Sequence, residues 1–298
     1  MVFDEPTATR GHIPVMLTEV LEALAVQPGD VVVDSTAGGG GHLEELAKLV
    51  GPSGRVIALD RDARAQADDA AGGVVRRYAD RAVLVQRPFS EVRAALDDLG
   101  VERADALFAD LGVSSFQLDD GARGFSFRAD AALDMRMDTS TGETARELIE
   151  RLDEEELANV IFEFGDERHS RRIARALKRK VPTTTTALAD MVAGAVRGSG
   201  AWQRIHPATR TFQALRIAVN GELAQLDALL ASLPSVIAPG GRAVILSFHS
   251  LEDRRVKVRF KQEGCSPLSK KPIEPTDDEI AANPRARSAK LRSAVIGG

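Results

Sequence analysis

Short apolar runs alternate with helix-length stretches through the first third of the chain: Val31-Val32-Val33-Asp34, Arg55 to Asp60, Ala82-Val83-Leu84-Val85 and Ala104 to Asp110. Each is bounded by Gly, Pro or charge, and the intervals are long enough for crossover helices, which predicts a parallel sheet covered by helices on both faces. From about Phe116 to Trp202 strand patterning disappears and amphipathic helices are expected, among them Thr144 to Arg151, Glu154 to Phe164 and Arg171 to Arg179. The strand pattern then resumes. Leu223, Leu226, Leu229, Leu230 and Leu233 recur at helical spacing, Pro239-Gly240-Gly241 makes a turn, and Arg242 to Phe248 reads as a buried strand. The segment from Cys265 to Pro284 reads as a long loop before a last strand near Leu291 to Ile296. The expected organisation is one α/β domain made from residues 1–115 and 203–298, split by a helical insertion over 116–202.

Composition fits this picture. The 298 residues are 44% hydrophobic and 28% charged, as in ordinary globular proteins. Cys265 is the single cysteine and cannot form an internal disulfide. No apolar run approaches the roughly 18 residues of a membrane span, and the N-terminal residues lack the pattern of a signal peptide. A cytoplasmic protein with no membrane association is therefore expected. His12, His42, His169, His206 and His249 show no metal-ligand spacing, so no metal is predicted.

The first strand runs into Ser35-Thr36-Ala37-Gly38-Gly39-Gly40-Gly41-His42 and then an apolar helical face of Leu43, Leu46, Ala47 and Val50. A dinucleotide fingerprint needs a glycine where Leu43 stands, which disfavours nicotinamide and flavin cofactors. An acidic strand end, a glycine loop and a second acidic strand end instead match the layout used for S-adenosylmethionine. Asp60 is the candidate for the ribose hydroxyls, and Gly39, Gly40 and Gly41 for the methionine portion. Phe89 is placed either to pack on the adenine or to serve as a core residue.

Asp110 ends the fourth strand, where open α/β sheets bind ligands. An exocyclic base amine is a poor nucleophile because its lone pair is delocalised, and a carboxylate accepting its N–H bonds raises its electron density. Asp110 is the candidate for that catalytic role, the alternative being contact with cofactor alone. Methylation at carbon 5 of a pyrimidine needs a thiolate nucleophile. Cys265, in the late Pro-rich segment, is badly placed for it.

These residues resemble the bacterial small-subunit ribosomal RNA methyltransferase H family, also called MraW. The matching segments are His12-Ile13-Pro14-Val15-Met16, Gly38 to His42, Asp60-Arg61-Asp62, Asp110 to Asp119, Arg123 to Phe127 and Leu133 to Asp138, followed by His206 to Arg216, Ser247 to Arg254 and Asn283 to Ser288. The resemblance implies a class I S-adenosylmethionine-dependent methyltransferase, a Rossmann-like α/β sheet with an inserted helical domain, acting on the exocyclic N4 of a cytidine in the decoding region of 16S rRNA. It implies cofactor contacts at Gly40, Gly41, His42, Asp60, Phe89, Asp110 and Gln117. Two departures are local: Ala37-Gly38-Gly39 is richer in glycine than the usual loop, and Gln86-Arg87-Pro88 replaces the commoner approach to Phe89. Two rivals are the same chemistry on DNA, protein or a small molecule, and a non-catalytic RNA-binding or ribosome-assembly factor.

A cytosine must leave its stack to be methylated on N4. Phe116, Phe125 and Phe127 are a dense aromatic group in a chain that is 4% aromatic, and are candidates for a pocket wall or for anchors of the insertion. Arg210 and His249 are further substrate-contact candidates, or else ion-paired or capping residues. The net charge of −5 hides a segregated pattern. Residues 143–167 hold ten acidic and two basic side chains, whereas 168–180 hold seven basic and no acidic ones. Arg168, Arg171, Arg172, Arg175 and Arg179 share one helical face suited to phosphates, and residues 254–292 form a second basic region. The insertion is thus a candidate RNA-recognition domain, with rRNA, in the small subunit, as the expected partner.

Overall fold

The computed structural model describes residues 13–114, 117–118, 120–197 and 206–297. Phe116, His12 and Trp202 lie outside them. The strands are β1 (Val31–Asp34), β2 (Arg55–Asp60), β3 (Ala82–Gln86), β4 (Ala104–Asp110), β5 (Ile237–Ser247), β6 (Cys265–Pro267) and β7 (Lys290–Ile296). They form one sheet in the order β3-β2-β1-β4-β5-β7-β6. The first five pair in parallel, and β7 runs antiparallel to both β5 and β6. This is the Rossmann-like α/β sheet that the alternating pattern predicts.

Alternation along the strands builds two cores, one on each face. Val32, Val56, Ala58, Phe108, Val244 and Leu246 point to one side, where they meet α1 (Leu17–Leu24), α2 (Gly41–Val50) and α3 (Ala71–Arg77). Val33, Ile57, Leu59, Leu107, Ile245 and Ile296 point to the other, against α4 (Val92–Asp98) and Leu226, Leu229, Leu230 and Leu233 of α10 (Glu222–Val236).

The chain divides into two compact units, Met1–Ser115 with Leu226–Gly298, and Phe116–Gln225. The second contains α5 (Ala145–Arg151), α6 (Glu154–Gly165), α7 (Ser170–Arg179), α8 (Thr185–Val196) and α9 (Ala208–Asn220). Its helices start where local chemistry says they should. Thr144 and Glu147 close a capping box at α5, and Asp153 and Glu156 another at α6. α7 buries Ile173, Ala174 and Leu177 and turns Arg171, Arg172, Arg175 and Arg179 outward. Asn220, at the end of α9, is 4% exposed and bridges three backbone groups: its Oδ1 accepts from Met137 N at 2.8 Å, and its Nδ2 donates to Met135 O at 2.8 Å and Arg216 O at 2.9 Å.

Three expectations differ from the structure. Pro239-Gly240-Gly241, expected as a turn ahead of the strand, lies within β5 as an irregularity where its register with β4 shifts from Ala104–Ile237 to Ala106–Arg242. The helical unit extends to Gln225 rather than 202, because α9 packs against α6 and Gln213 donates to Phe164 O at 3.0 Å. The segment from Cys265 to Pro284 is not one long loop. It holds β6, α11 beginning earlier at Ser250 (Ser250–Arg259) leads into it, and α12 (Asp277–Ala282) opens on a Thr276 side-chain cap. Among the described residues no helix is long and apolar enough to cross a membrane.

Candidate active site at the strand ends

Parallel pairing puts the carboxyl ends of β2, β1 and β4 along one edge of the sheet. Asp34 is in register with Ala58 on one side and Phe108 on the other, so Asp60 and Asp110 each lie two residues further along the flanking strands. Three carboxylates thus meet at one edge. Burial, with Asp60 nearby, pushes the Asp34 carboxyl up to about 7 against the backbone amide of Thr36, which favours the anion. Burial likewise raises Asp60 to about 6 and, reinforced by the charges of Asp34 and Glu252, Asp110 to about 8. The Asp110 side chain keeps 25% of its surface open.

The glycine loop is strapped to this edge. Asp60 Oδ2 accepts from Gly38 N and Oδ1 from Asp62 N, each at 2.8 Å. Gly40, with φ of 83°, precedes the first turn of α2, and a Cβ there would come within 2.7 Å of Val74 Cγ2. A Cβ on Gly41 would come within 2.5 Å of Pro14 Cγ. Packing therefore demands these two glycines even without a ligand, a reason that the pattern of the loop alone does not reveal. Gly39 is half-buried between Gly38 and Gly40.

His42, on the first turn of α2, is 8% exposed, stacks on Phe108 at 4.6 Å and places Nε2 3.1 Å from Val15 O. Its Nδ1 faces Asp110 Oδ2 at 3.9 Å. The Asp110 amide donates to Thr36 Oγ1 at 2.7 Å, which ties β4 to the turn after β1. Phe89 opens a short turn after β3 and is half-buried beside the β2–β3 side of the core. His249 caps α11: Nδ1 accepts from Glu252 N at 3.4 Å, Nε2 lies 3.1 Å from Glu252 Oε1, and Glu252 Oε2 accepts from Phe248 N at 2.8 Å. His249 and Glu252 thus close the first turn of α11 on each other, the capping role that the sequence left open for His249.

Sequence reasoning used Asp34 only as the acidic end of the first strand, and singled out neither Thr36 nor Glu252. The first two flank the glycine loop, and His249-Ser250-Leu251-Glu252 has the cap-to-third-residue spacing of a capping box, a signal that was present. The edge also fits a cationic ligand with polar arms. Three carboxyls are held above their ordinary range, and the Ser35 hydroxyl, 1% exposed, has no hydrogen-bond partner among the described residues.

In the helical unit, Gln117 and Phe125 are buried, and the Arg123 guanidinium lies 5.8 Å from the Phe125 ring centre. Phe127 packs at 4.7 Å on His206 and 5.0 Å on Phe212, so it anchors that unit's own core. Arg210 donates to Asp166 O at 3.0 Å, closing the end of α6. On α7, Arg175 pairs with Glu154, and Lys178 donates to the carbonyls of Ile149 and Glu150. Arg168, Arg171, Arg172, Arg179 and Lys180 are exposed.

Comparison with known proteins places this geometry in context. The family model described as the MraW methylase family matches residues 9–296. A protein of Sorangium cellulosum (strain So ce56) named ribosomal RNA small subunit methyltransferase H is 52% identical over 301 residues, covering 98% of this chain and 94% of its own length. Proteins of the same name from Geotalea uraniireducens (strain Rf4) and Anaeromyxobacter dehalogenans (strain 2CP-1 / ATCC BAA-258) are each 46% identical, cover 95% of this chain, and are themselves covered over 97% and 96% of their length.

Proposed function

The chain belongs to the MraW methylase family, and we propose that it transfers the methyl group of S-adenosylmethionine to the exocyclic N4 of a cytidine in the decoding region of 16S rRNA. It is an S-adenosylmethionine-dependent rRNA (cytosine-N4) methyltransferase, working in the cytoplasm on RNA within the small ribosomal subunit. The observation that carries the site assignment is the meeting of Asp34, Asp60 and Asp110 beside the glycine loop at one sheet edge.

When bound, S-adenosylmethionine supplies an electrophilic methyl on a positively charged sulfur. The chain's own groups do the rest. Each Asp60 oxygen takes one backbone amide and keeps acceptor capacity for a ribose hydroxyl. Gly39, Gly40, Gly41 and His42 form the wall for the methionine portion, and the family pattern adds Phe89 and Gln117 as proposed cofactor contacts. Ionised Asp110 accepts an N–H of the cytosine amine, aligns its lone pair, and holds the proton that the nitrogen sheds as it gains carbon. Phe125, Phe127, Arg210 and His249 are the proposed substrate contacts; within their own units Phe127 packs on Phe212, Arg210 closes the end of α6 and His249 caps α11. The helical unit recognises RNA, its α7 arginines meeting phosphates. Mass spectrometry of 16S rRNA from a strain lacking this protein tests the reading. Loss of N4-methylcytidine is expected, and unchanged content would overturn it.

A further inference from the structure

Two of the segments prominent in the sequence, Ile13–Met16 and Asn283–Ser288, stand at opposite ends of the chain and are tied to each other. Asn283 Nδ2 donates to Ile13 O at 3.0 Å, and Glu279 Oε1 accepts from Met16 N at 2.5 Å. Asn283 is 8% exposed, and its Oδ1 also accepts from Arg285 N at 3.3 Å, starting the short turn Pro284–Ser288. Ala286 of that turn is buried in the same core as Val15 and Met16. Met16 sits in the left-handed region at φ 51°, a conformation that a residue with a side chain holds only when its surroundings constrain it.

Between the two tether points run Pro14 and Val15, which are the residues that touch the glycine loop. Pro14 occupies the space in front of Gly41, and the Val15 carbonyl lies 3.1 Å from His42 Nε2. A carbonyl only accepts, so this contact puts the ring proton on Nε2 and leaves Nδ1 of the neutral imidazole as the acceptor facing Asp110.

We propose that Asn283 and Glu279 are positioning residues of the cofactor site: they clamp Ile13–Met16 so that the Val15 carbonyl fixes the orientation and tautomer of His42. The inference rests on the reading of this edge as the cofactor site. Calorimetric titration with S-adenosylhomocysteine and 15N NMR of the histidine rings in the full-length protein test it. Asn283→Asp keeps the acceptor for Arg285 N and removes the donor to Ile13. Glu279→Ala removes the acceptor for Met16, whereas Glu279→Gln retains one. Loss of one such hydrogen bond, passed on to His42, is expected to weaken binding by about tenfold in Asn283→Asp and Glu279→Ala, with the His42 signals moving toward a mixture of tautomers. Glu279→Gln is expected to stay within about twofold of wild type, because its amide oxygen still accepts.

A merely structural role would lower the melting temperature without moving the His42 signals. Folded variants with wild-type affinity and a wild-type His42 spectrum would overturn the proposal. Should Glu279→Ala fail to fold, Asn283→Asp decides. If wild type itself does not bind S-adenosylhomocysteine, the cofactor reading falls, and the His42 spectrum of the variants still decides whether the clamp sets the ring.

Discussion

Loading the protein with S-adenosylmethionine at pH 7 is expected to release a proton from Asp110. Burial first, and then the charges of Asp34 and Glu252, raise this carboxyl to about 8. A group with that value is ionised in about one tenth of molecules at pH 7. A sulfonium cation at the same edge favours the anion, so binding drives ionisation and releases up to about 0.9 proton; at pH 9, where about nine tenths are already ionised, release falls to about 0.1. Asp34 and Asp60 titrate lower, at about 7 and about 6, and add smaller shares. Asp110→Asn removes the Asp110 share alone. The assay is calorimetry in buffers of different ionisation enthalpy, whose slope counts protons directly. S-adenosylhomocysteine, which lacks the sulfonium charge, is expected to release fewer. A wild-type release at pH 7 equal to that of Asp110→Asn, or unchanged at pH 9, would refute the electrostatic account of this edge.

The same shifts predict that the ligand-free fold loses stability as pH rises. Each raised carboxyl contributes most below its unfolded value of roughly 4, and that contribution is lost as pH climbs through 6 to 8. The melting temperature should therefore drop from pH 6 to 9, and drop less in Asp110→Asn. Gly40→Ala places a methyl group on a residue at φ 83° and 2.7 Å from Val74 Cγ2; urea unfolding should show a loss of about 2 kcal/mol or more. Asn220→Ala strands Met137 N and the Met135 carbonyl inside the helical unit, and should cost roughly 2–3 kcal/mol by the same measurement. Reversing Arg171, Arg172 and Arg179 to Glu should weaken RNA binding and flatten its salt dependence by about one unit of slope per lost phosphate contact; an unchanged slope in filter binding would remove α7 from the interface.

The sheet was legible because its strands are continuous apolar runs bounded by turns and charge, and each long strand lies within a few residues of the expected place. β6 was not, since Cys265-Ser266-Pro267 is too short to show a period and, among the described strands, pairs with β7 alone. The far edge of the helical unit was missed for a different reason. The leucines after residue 222 announce a helix packed on the sheet, but nothing local says that α9 belongs with α6, which is decided by long-range contacts such as those of Asn220 and Gln213. At the site, residue type and strand pattern were enough to expect Asp60 and Asp110 at strand ends, where the structure has them. The roles of Pro14, Val15 and Asn283 depend on pairing across some 270 residues, which no spacing within one segment encodes.

The strand order also sets a schedule for synthesis. β4 ends at Asp110 and its neighbour β5 starts at Ile237, while β7, which lies between β5 and β6, begins only at Lys290. A nascent chain therefore carries a half-built sheet with an open edge on β4 while the helical unit emerges, and then an open edge on β5 until β7 arrives. Closing such distant pairs carries a loop entropy that grows slowly with length but must be met before any pairing is gained. A helical unit that compacts early brings the ends of its own segment closer and shortens the effective loop. Unpaired edges meanwhile invite association with other chains, so truncation before β7 should yield a protein that aggregates during synthesis, rather than a smaller protein with the rest of its sheet intact.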